Sequence, residues 1–260
     1  MDNKAYRLRE FIKPSDGHSL VLDTSAGLSL GVLPGLENFS KAVFPMLSQV
    51  DGVVASPGQS RRLLGRTHDQ AAVLVRADWT NALRGPDFVL HPESTSLIPL
   101  IEPVDALDLG TSGLVMSFLL GYEEQIEADC LRVTVQLSLQ GSQAGVPIIS
   151  DIRPTGLRVV LRAKAIELGV SYALESGVDG IALPWPGQHS FETIVTMASG
   201  IPLWIKPTEI QGGSELEAAL DLGAAGFWLD DRLFAEPDPI ALVAGFYNQV
   251  HGAPSVPTVG

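Results

Sequence analysis

The residue that most invites a chemical reading is Lys206, at the end of "IPLWIKPTE" (201–209). Ile201, Leu203, Trp204 and Ile205 read as a buried strand, and the lysine closes it in front of a proline. The chain has five lysines. The other four, Lys4, Lys13, Lys41 and Lys164, stand in terminal or helix-like polar surroundings. Two readings are open. A strand-end lysine can lay its stem on apolar surface and pair its ammonium with a carboxylate. It can instead carry an amine of lowered pKa that attacks a carbonyl and forms a Schiff base. Burial lowers such a pKa and neighbouring carboxylates raise it, so position alone does not decide.

Carboxylates stand at other strand ends. Asp23 closes "SLVLD" before the small-residue loop "TSAGLSLG". A proton-transfer carboxyl suits that place, and so does an Asp that caps its own loop. Asp151 follows "PIIS", with Arg153 two residues on, as a proton mover or as half of a rim ion pair. Asp78 follows Arg76 at the end of "AAVLVRAD", and Glu209 follows Lys206. Asp230 and Asp231 close "GFWLDD" before Arg232, able to contact a hydroxyl or amine of a substrate or to cap the next helix. The catalytic reading takes Lys206 as the imine-forming amine and Asp23 and Asp151 as proton movers. Arg153, Trp185, Asp78, Glu209, Asp230 and Asp231 become substrate contacts, with Trp185 and Trp204 as an apolar wall.

No metal or cofactor is expected. His18, His68, His91, His189 and His251 are scattered, without HxH or HxxE spacing. Cys130 is the single cysteine, which excludes an intramolecular disulfide and a CxxC site. A GxSxG elbow, a Walker loop and a GxGxxG after a strand are all absent. The formal net charge of -13 argues against nucleic acid and anionic membrane as partners. No apolar run reaches the roughly 18 residues of a membrane span. The charged start "MDNKAYRLREFIKP" is unlike a signal peptide, so a cytoplasmic protein with a small-molecule substrate is expected.

The elements that must position these residues alternate. Apolar runs at 19–25, 52–56, 71–78, 113–119, 146–152, 180–185, 201–206 and 226–231 read as eight strands. Helical stretches fall at 36–49, 122–144, 157–176, 189–199, 214–222 and 238–251. "LDLGTSG", "LESGVDG" and "LDLGAAG" recur before strands, each a helix end, a glycine stop and a turn. Continuous rather than alternating apolar strands indicate a parallel sheet covered by helices. The count and length fit a single (β/α)8 TIM barrel over 1–260, with a doubly wound open sheet as the rival. Segment 81–104 reads as an elaborated loop and short hairpin, and 252–260 as a loose tail. In such a barrel the active site lies at the C-terminal strand ends, where the polar residues above stand.

At "LDTSAGLSLGVLPGLENFSKAV" (22–43) the chain resembles the class I aldolase group. That group includes archaeal-type fructose-bisphosphate aldolase, amino-dideoxy-heptulosonate synthase and an autoinducer-processing thiolase-like enzyme. The likeness continues through "VDGVVASPGQSRRL", "VLVRADWTNAL", "VPIISDIRPTG", "SGVDGIALPWPG" and "LDLGAAGFWLDDRLF". By resemblance, Asp23 is the proton-transfer aspartate of the first strand. The departures are sharper. The Schiff-base lysine of the sixth strand falls at Ala182, and the fourth-strand tyrosine at Leu119. The phosphate-holding "GG" becomes Pro207 and Thr208, and "GR" becomes Asp230 and Asp231. The related deoxyribose-phosphate aldolases carry a second active-site lysine on the seventh strand, near the position of Lys206.

The resemblance therefore implies a divergent aldolase-like lyase or synthase for a small non-phosphorylated carbonyl compound, and a homo-oligomer. Two alternatives stay open. One is a cyclase, dehydratase or isomerase driven by carboxylates without an imine, and the other is a non-catalytic binding protein. A deep pocket at the strand ends is what the enzymatic readings require.

Overall fold

Strands buried on both faces form a closed parallel barrel. The computed structural model describes residues 3–66, 70–209 and 214–252. The elements run α1 Asn3–Leu8, β1 Ser19–Asp23, α2 Gly27–Leu30, α3 Phe39–Val43, β2 Gly52–Ala55, α4 Pro57–Leu63, β3 Ala72–Arg76, β4 Asp78–Thr80, β5 Leu97–Pro99, α5 Pro103–Asp108, β6 Gly113–Leu119, α6 Glu124–Ala144, β7 Ile148–Arg153, α7 Arg162–Glu175, β8 Gly180–Pro184, α8 Gln188–Ala198, β9 Leu203–Lys206, α9 Ser214–Asp221, β10 Gly226–Leu229 and α10 Pro239–His251. The barrel order is β1-β2-β3-β6-β7-β8-β9-β10, and β10 pairs back onto β1 through Leu22 opposite Leu229. The open-sheet alternative is excluded by that closure. The antiparallel pair β4–β5 is the hairpin expected after the third barrel strand.

The glycine stops behave as read. Gly110, Gly177 and Gly223 follow α5, α7 and α9 with φ of 66°, 79° and 105°, a backbone that side chains oppose. Four short helices escaped the sequence reading, among them α2 in the loop after the first strand. α1 lies before the first strand, α4 begins at Pro57 under a Ser56 cap, and α5 begins at Pro103 with a reciprocal Glu102–Asp105 cap. The expected tail from 252 lies outside the described residues beyond Gly252, as does His68.

Strand alternation sorts the core into two layers. Outward residues such as Leu20, Ile148, Leu183 and Phe227 pack under the helices. Inward residues form a second cluster of Phe11, Val21, Val54, Leu74, Val115, Ile149, Ala182, Trp204 and Trp228. Phe11 stacks on Trp204 at 5.8 Å, and Trp204 meets Trp228 edge-on at 6.0 Å. These rings plug the N-terminal end of the barrel. One inward step further along the strands, the side chains become Asp23, Arg76, Ser117, Asp151 and Lys206.

Candidate active site

Each of these polar groups sits two residues beyond an apolar inward neighbour on its own strand. Val21 leads to Asp23, Leu74 to Arg76, Val115 to Ser117, Ile149 to Asp151, and Trp204 to Lys206. Period two therefore delivers them to one layer at the C-terminal mouth. All five are buried.

Arg76 is the hub. Its Nη2 donates to Asp23 Oδ2 at 2.5 Å, its Nη1 to Asp151 Oδ2 at 3.1 Å, and its Nε to Ser25 Oγ at 3.0 Å. Ser117 Oγ accepts a longer bond from Nη1 at 3.3 Å. Arg153 donates to Asp151 Oδ2 from Nε at 2.9 Å, and its Nη2 lies 2.7 Å from the same oxygen. Lys206 Nζ donates to the other oxygen, Asp151 Oδ1. Asp23 also accepts from Ser25 Oγ and from the Trp228 indole N–H. Asp78 stands 3.9 Å from Arg76 Nη1, and its Oδ1 accepts from the Ser117 backbone N–H. Its Oδ2 is buried without a protein partner. Three carboxylates thus face three cations.

The charges are not equivalent. Burial alone would push the Asp151 carboxyl up, but Arg153, Lys206 and Arg76 outweigh it and hold Asp151 far below the carboxylate range. Asp23 is lowered in the same way, with Arg76 and Arg153 overcoming burial. Asp78 goes the other way, because burial exceeds the pull of the more distant Arg76. Lys206 falls below its ordinary value: burial outweighs Asp151, and Arg153 adds repulsion. An ion pair ordinarily raises its lysine. Here Asp151 is shared with two guanidiniums that stay protonated, so the lysine is the cation that can release its proton.

The structure brings Lys206, Asp23, Asp151, Arg153 and Asp78 together. It places the others elsewhere. Trp185 packs on Phe191 of α8 at 5.4 Å, in the layer between barrel and helices. Trp204 lies one layer below the mouth, so the two do not form the expected wall. Glu209 is exposed beyond β9. Asp230 caps the 3-10 turn Asp231–Ala235, accepting from the Arg232 backbone N–H at 3.1 Å and side-chain Nε at 2.8 Å. The Arg232 guanidinium also donates to the carbonyls of Thr208 and Pro207. Asp231 is half-buried, and burial followed by Asp230 and Asp23 pushes its carboxyl up.

Sequence reasoning passed over Arg76 as hub, and Ser25, Ser117 and Trp228 as its supports. Arg76 carried a signal, since it is the inward residue at the end of its strand. The cavity at the mouth is small, about 10 Å³, room for one water. Leu28 and Ser29 of α2 and Leu83 of the β4–β5 connection close over it. The deep pocket expected for an enzyme is not open here, because the charged side chains meet one another directly.

The barrel superposes on a Schiff-base-forming fructose-1,6-bisphosphate aldolase with a TM-score of 0.77 at 17% identity, and on an archaeal fructose-1,6-bisphosphate aldolase with the same score and identity. Each match covers 96% of this chain and 100% of the other. The fold is that of the archaeal fructose-1,6-bisphosphate aldolases. A fructose-bisphosphate aldolase from Slackia heliotrinireducens superposes on the same aldolase fold with a TM-score of 0.74, over 95% of this chain and 85% of that one, at 15% identity. In sequence, an uncharacterized aldolase of Pasteurella multocida is 24% identical over 255 residues, 95% of this chain and 82% of its own. The 3-hydroxy-5-phosphonooxypentane-2,4-dione thiolase of Escherichia coli K12 is 25% identical over 254 residues, 94% of this chain and 81% of its own. No protein-family model matches the chain. Within the aldolase fold, Ala182 sits inward on β8, directly paired with Asp151 on one side and Trp204 on the other.

Proposed function

We propose that the chain is an aldolase-type lyase that forms an imine with a small, non-phosphorylated carbonyl compound through Lys206. The observation that carries this reading is the lysine itself: a buried amine of lowered pKa at the mouth of an aldolase barrel. β9 adjoins β8, with neighbouring strands about 4.8 Å apart, and Lys206 registers with Pro184, one inward step beyond Ala182. A lysine moved from Ala182 to 206 still reaches a carbonyl bound at the mouth.

In this chemistry the neutral amine adds to the carbonyl carbon, and the carbinolamine loses water to give an iminium. A carboxylate takes the proton of the β-hydroxyl, the carbon–carbon bond breaks, and its electron pair enters the iminium as an enamine. Protonation at carbon and hydrolysis by water return the amine. Asp151 orients the lysine, and Asp23 and Asp151 act as proton acceptors. Asp78, raised and with a free carboxyl oxygen, is the better proton donor. Substrate entry requires Leu28 or Leu83 to move and Lys206 to leave Asp151.

A substrate without phosphate is supported by the eighth-strand end. Asp230 occupies the turn N-terminus where an anion would bind. The named substrate of the Escherichia coli relative carries a phosphonooxy group. The second reading is a proton-transfer reaction without an imine, favoured by the raised Asp78 and Asp231 carboxyls. Borohydride reduction in the presence of small aldehydes and ketones separates the two. Mass added at Lys206 supports the imine. Turnover retained by Lys206→Ala overturns it.

A further inference from the structure

We infer that the substrate is a 4-hydroxy-2-oxo acid, with its carboxylate held by Arg153, its C2 carbonyl attacked by Lys206 and its C4 oxygen set against Asp78. The inference rests on the imine reading and narrows its substrate class. Arg153 and Asp78 stand two residues beyond Asp151 and Arg76, so both lie on the solvent side of the charged layer. Both line the small cavity at the mouth. Each keeps one polar atom unused. Arg153 directs Nε and Nη2 at Asp151 Oδ2, and its Nη1 makes no hydrogen bond among the described residues. Its side chain is 18% exposed, against 4% for Arg76 and 11% for Lys206, so it is the cation of the cluster that a substrate meets first. Asp78 Oδ2 is buried without a protein partner. One spare guanidinium donor and one spare carboxyl oxygen are complementary to an anion and a hydroxyl.

The places of these groups around the barrel set their order. In the run β3-β6-β7-β8-β9, the strands β3 and β9 face each other across the ring and β7 stands midway. Lys206 closes β9, Arg153 closes β7 and Asp78 follows β3. Asp151 accepts from Lys206 with one oxygen and from Arg153 with the other. The amine and the guanidinium therefore flank a single carboxylate. A carboxylate joined directly to the carbonyl carbon reaches Arg153 while that carbon meets Lys206, and this is the arrangement of a 2-oxo acid. Carbon–carbon cleavage needs a hydroxyl two carbons from the carbonyl. That is the C4 oxygen, carried across the mouth toward Asp78. The amine adds to C2 and water leaves. The C3–C4 bond breaks, the C4 hydroxyl proton passes to a carboxylate, and the electron pair enters the enamine as an aldehyde departs. A proton at C3 and water at C2 then release the shorter 2-oxo acid and the amine. The substrate carboxylate beside C2 also offsets the positive charge of the iminium.

The test is borohydride trapping on the full chain, with pyruvate as the smallest 2-oxo acid and hydroxyacetone as a neutral ketone of similar size. Peptide mass spectrometry reads the label on Lys206. Half-maximal labelling of wild type should need at least about 100-fold less pyruvate than hydroxyacetone, and Arg153→Gln should bring the two within about threefold. Arg153→Lys keeps the charge without the fork and should keep part of the preference. Circular dichroism checks that both variants fold, and the wild-type ratio decides the substrate class even where they do not. Turnover gives a second readout. 4-Hydroxy-2-oxopentanoate and 4-hydroxypentan-2-one both release acetaldehyde on cleavage, and kcat/KM for the acid should be at least about 100-fold higher. Wild type labelled equally by both ketones, or better by hydroxyacetone, overturns the substrate class and leaves the imine standing. A preference that survives Arg153→Gln overturns the assignment to Arg153. Absence of any label from pyruvate overturns the inference as well, and labelling by other small aldehydes and ketones then tells whether the imine reading falls with it.

Discussion

Towards the N-terminal end of the barrel the interior is filled by apolar groups, Phe11, Val21, Leu74, Ile149, Trp204 and Trp228 among them, while at the next inward step of the strands the side chains become Asp23, Arg76, Asp151 and Lys206. The step is two residues, about 6.6 Å of strand. Both layers are equally buried, yet they are filled by opposite means. The aromatic plug gains from area removed from water. The charged layer loses hydration on every member and recovers it only through pairing. A fold that needed only a filled barrel would continue the first solution to the mouth. The cost of the second is the physical reason to place the chemistry there.

The sharpest break of that comparison is Lys206→Ala. It should remove borohydride labelling and lower turnover by at least about 10³-fold, whereas Trp204→Leu, one layer down, should keep labelling in whatever fraction folds. Next is Asp151→Asn. It leaves Arg76, Arg153 and Lys206 without their shared carboxylate, and should cost about 3–5 kcal/mol in denaturant unfolding. Phe11→Ala should cost a similar or smaller amount, about 3–5 kcal/mol, through a cavity in the plug. The difference is then in salt and pH response, which only the charged layer should show.

Acid sharpens that contrast. Asp23 and Asp151 titrate below the ordinary carboxylate value of about 3.9 when folded, so the unfolded chain binds more protons in that range. Their stabilisation is complete above about pH 5 and is lost as pH falls through the folded values. Asp78 has the opposite sign: its raised folded value costs stability as pH rises above the unfolded one. Thermal melts should therefore fall on acidification, and Asp78→Asn should steepen the fall. At neutral pH Asp78→Asn is the smallest effect, within about 1 kcal/mol, because burial already disfavours the Asp78 charge and a neutral amide of nearly the same shape fills its place. A large loss at pH 7 would mean that Asp78 is ionised.

The barrel was legible because parallel strands are apolar on both faces and because three helices end on glycine before a strand. The helices α4 and α5 were not, since six or seven residues behind a proline show no period. Lys206 stood out as the one lysine closing a strand. Arg76 closes a strand too, but arginine at a rim reads as a partner rather than a centre. Trp185 was misplaced by ignoring alternation: Gly180, Ala182 and Pro184 face inward, so the next residue faces α8. Asp230 and Asp231 were legible as acidic, but not the local use of Asp230 as a cap for Arg232.

The indole of Trp228 touches the charged layer from below, donating its N–H to Asp23 Oδ2 at 3.3 Å. Its neighbour Trp204 donates to Ser19 Oγ at 3.1 Å, within the apolar plug. Both rings are fully buried, whereas Trp79 and Trp185 are only half-buried. The barrel thus carries a built-in optical probe. Emission from Trp228 senses the field of the carboxylate it holds, so a ligand that displaces or protonates Asp23 should change the blue-shifted part of the spectrum without any attached dye.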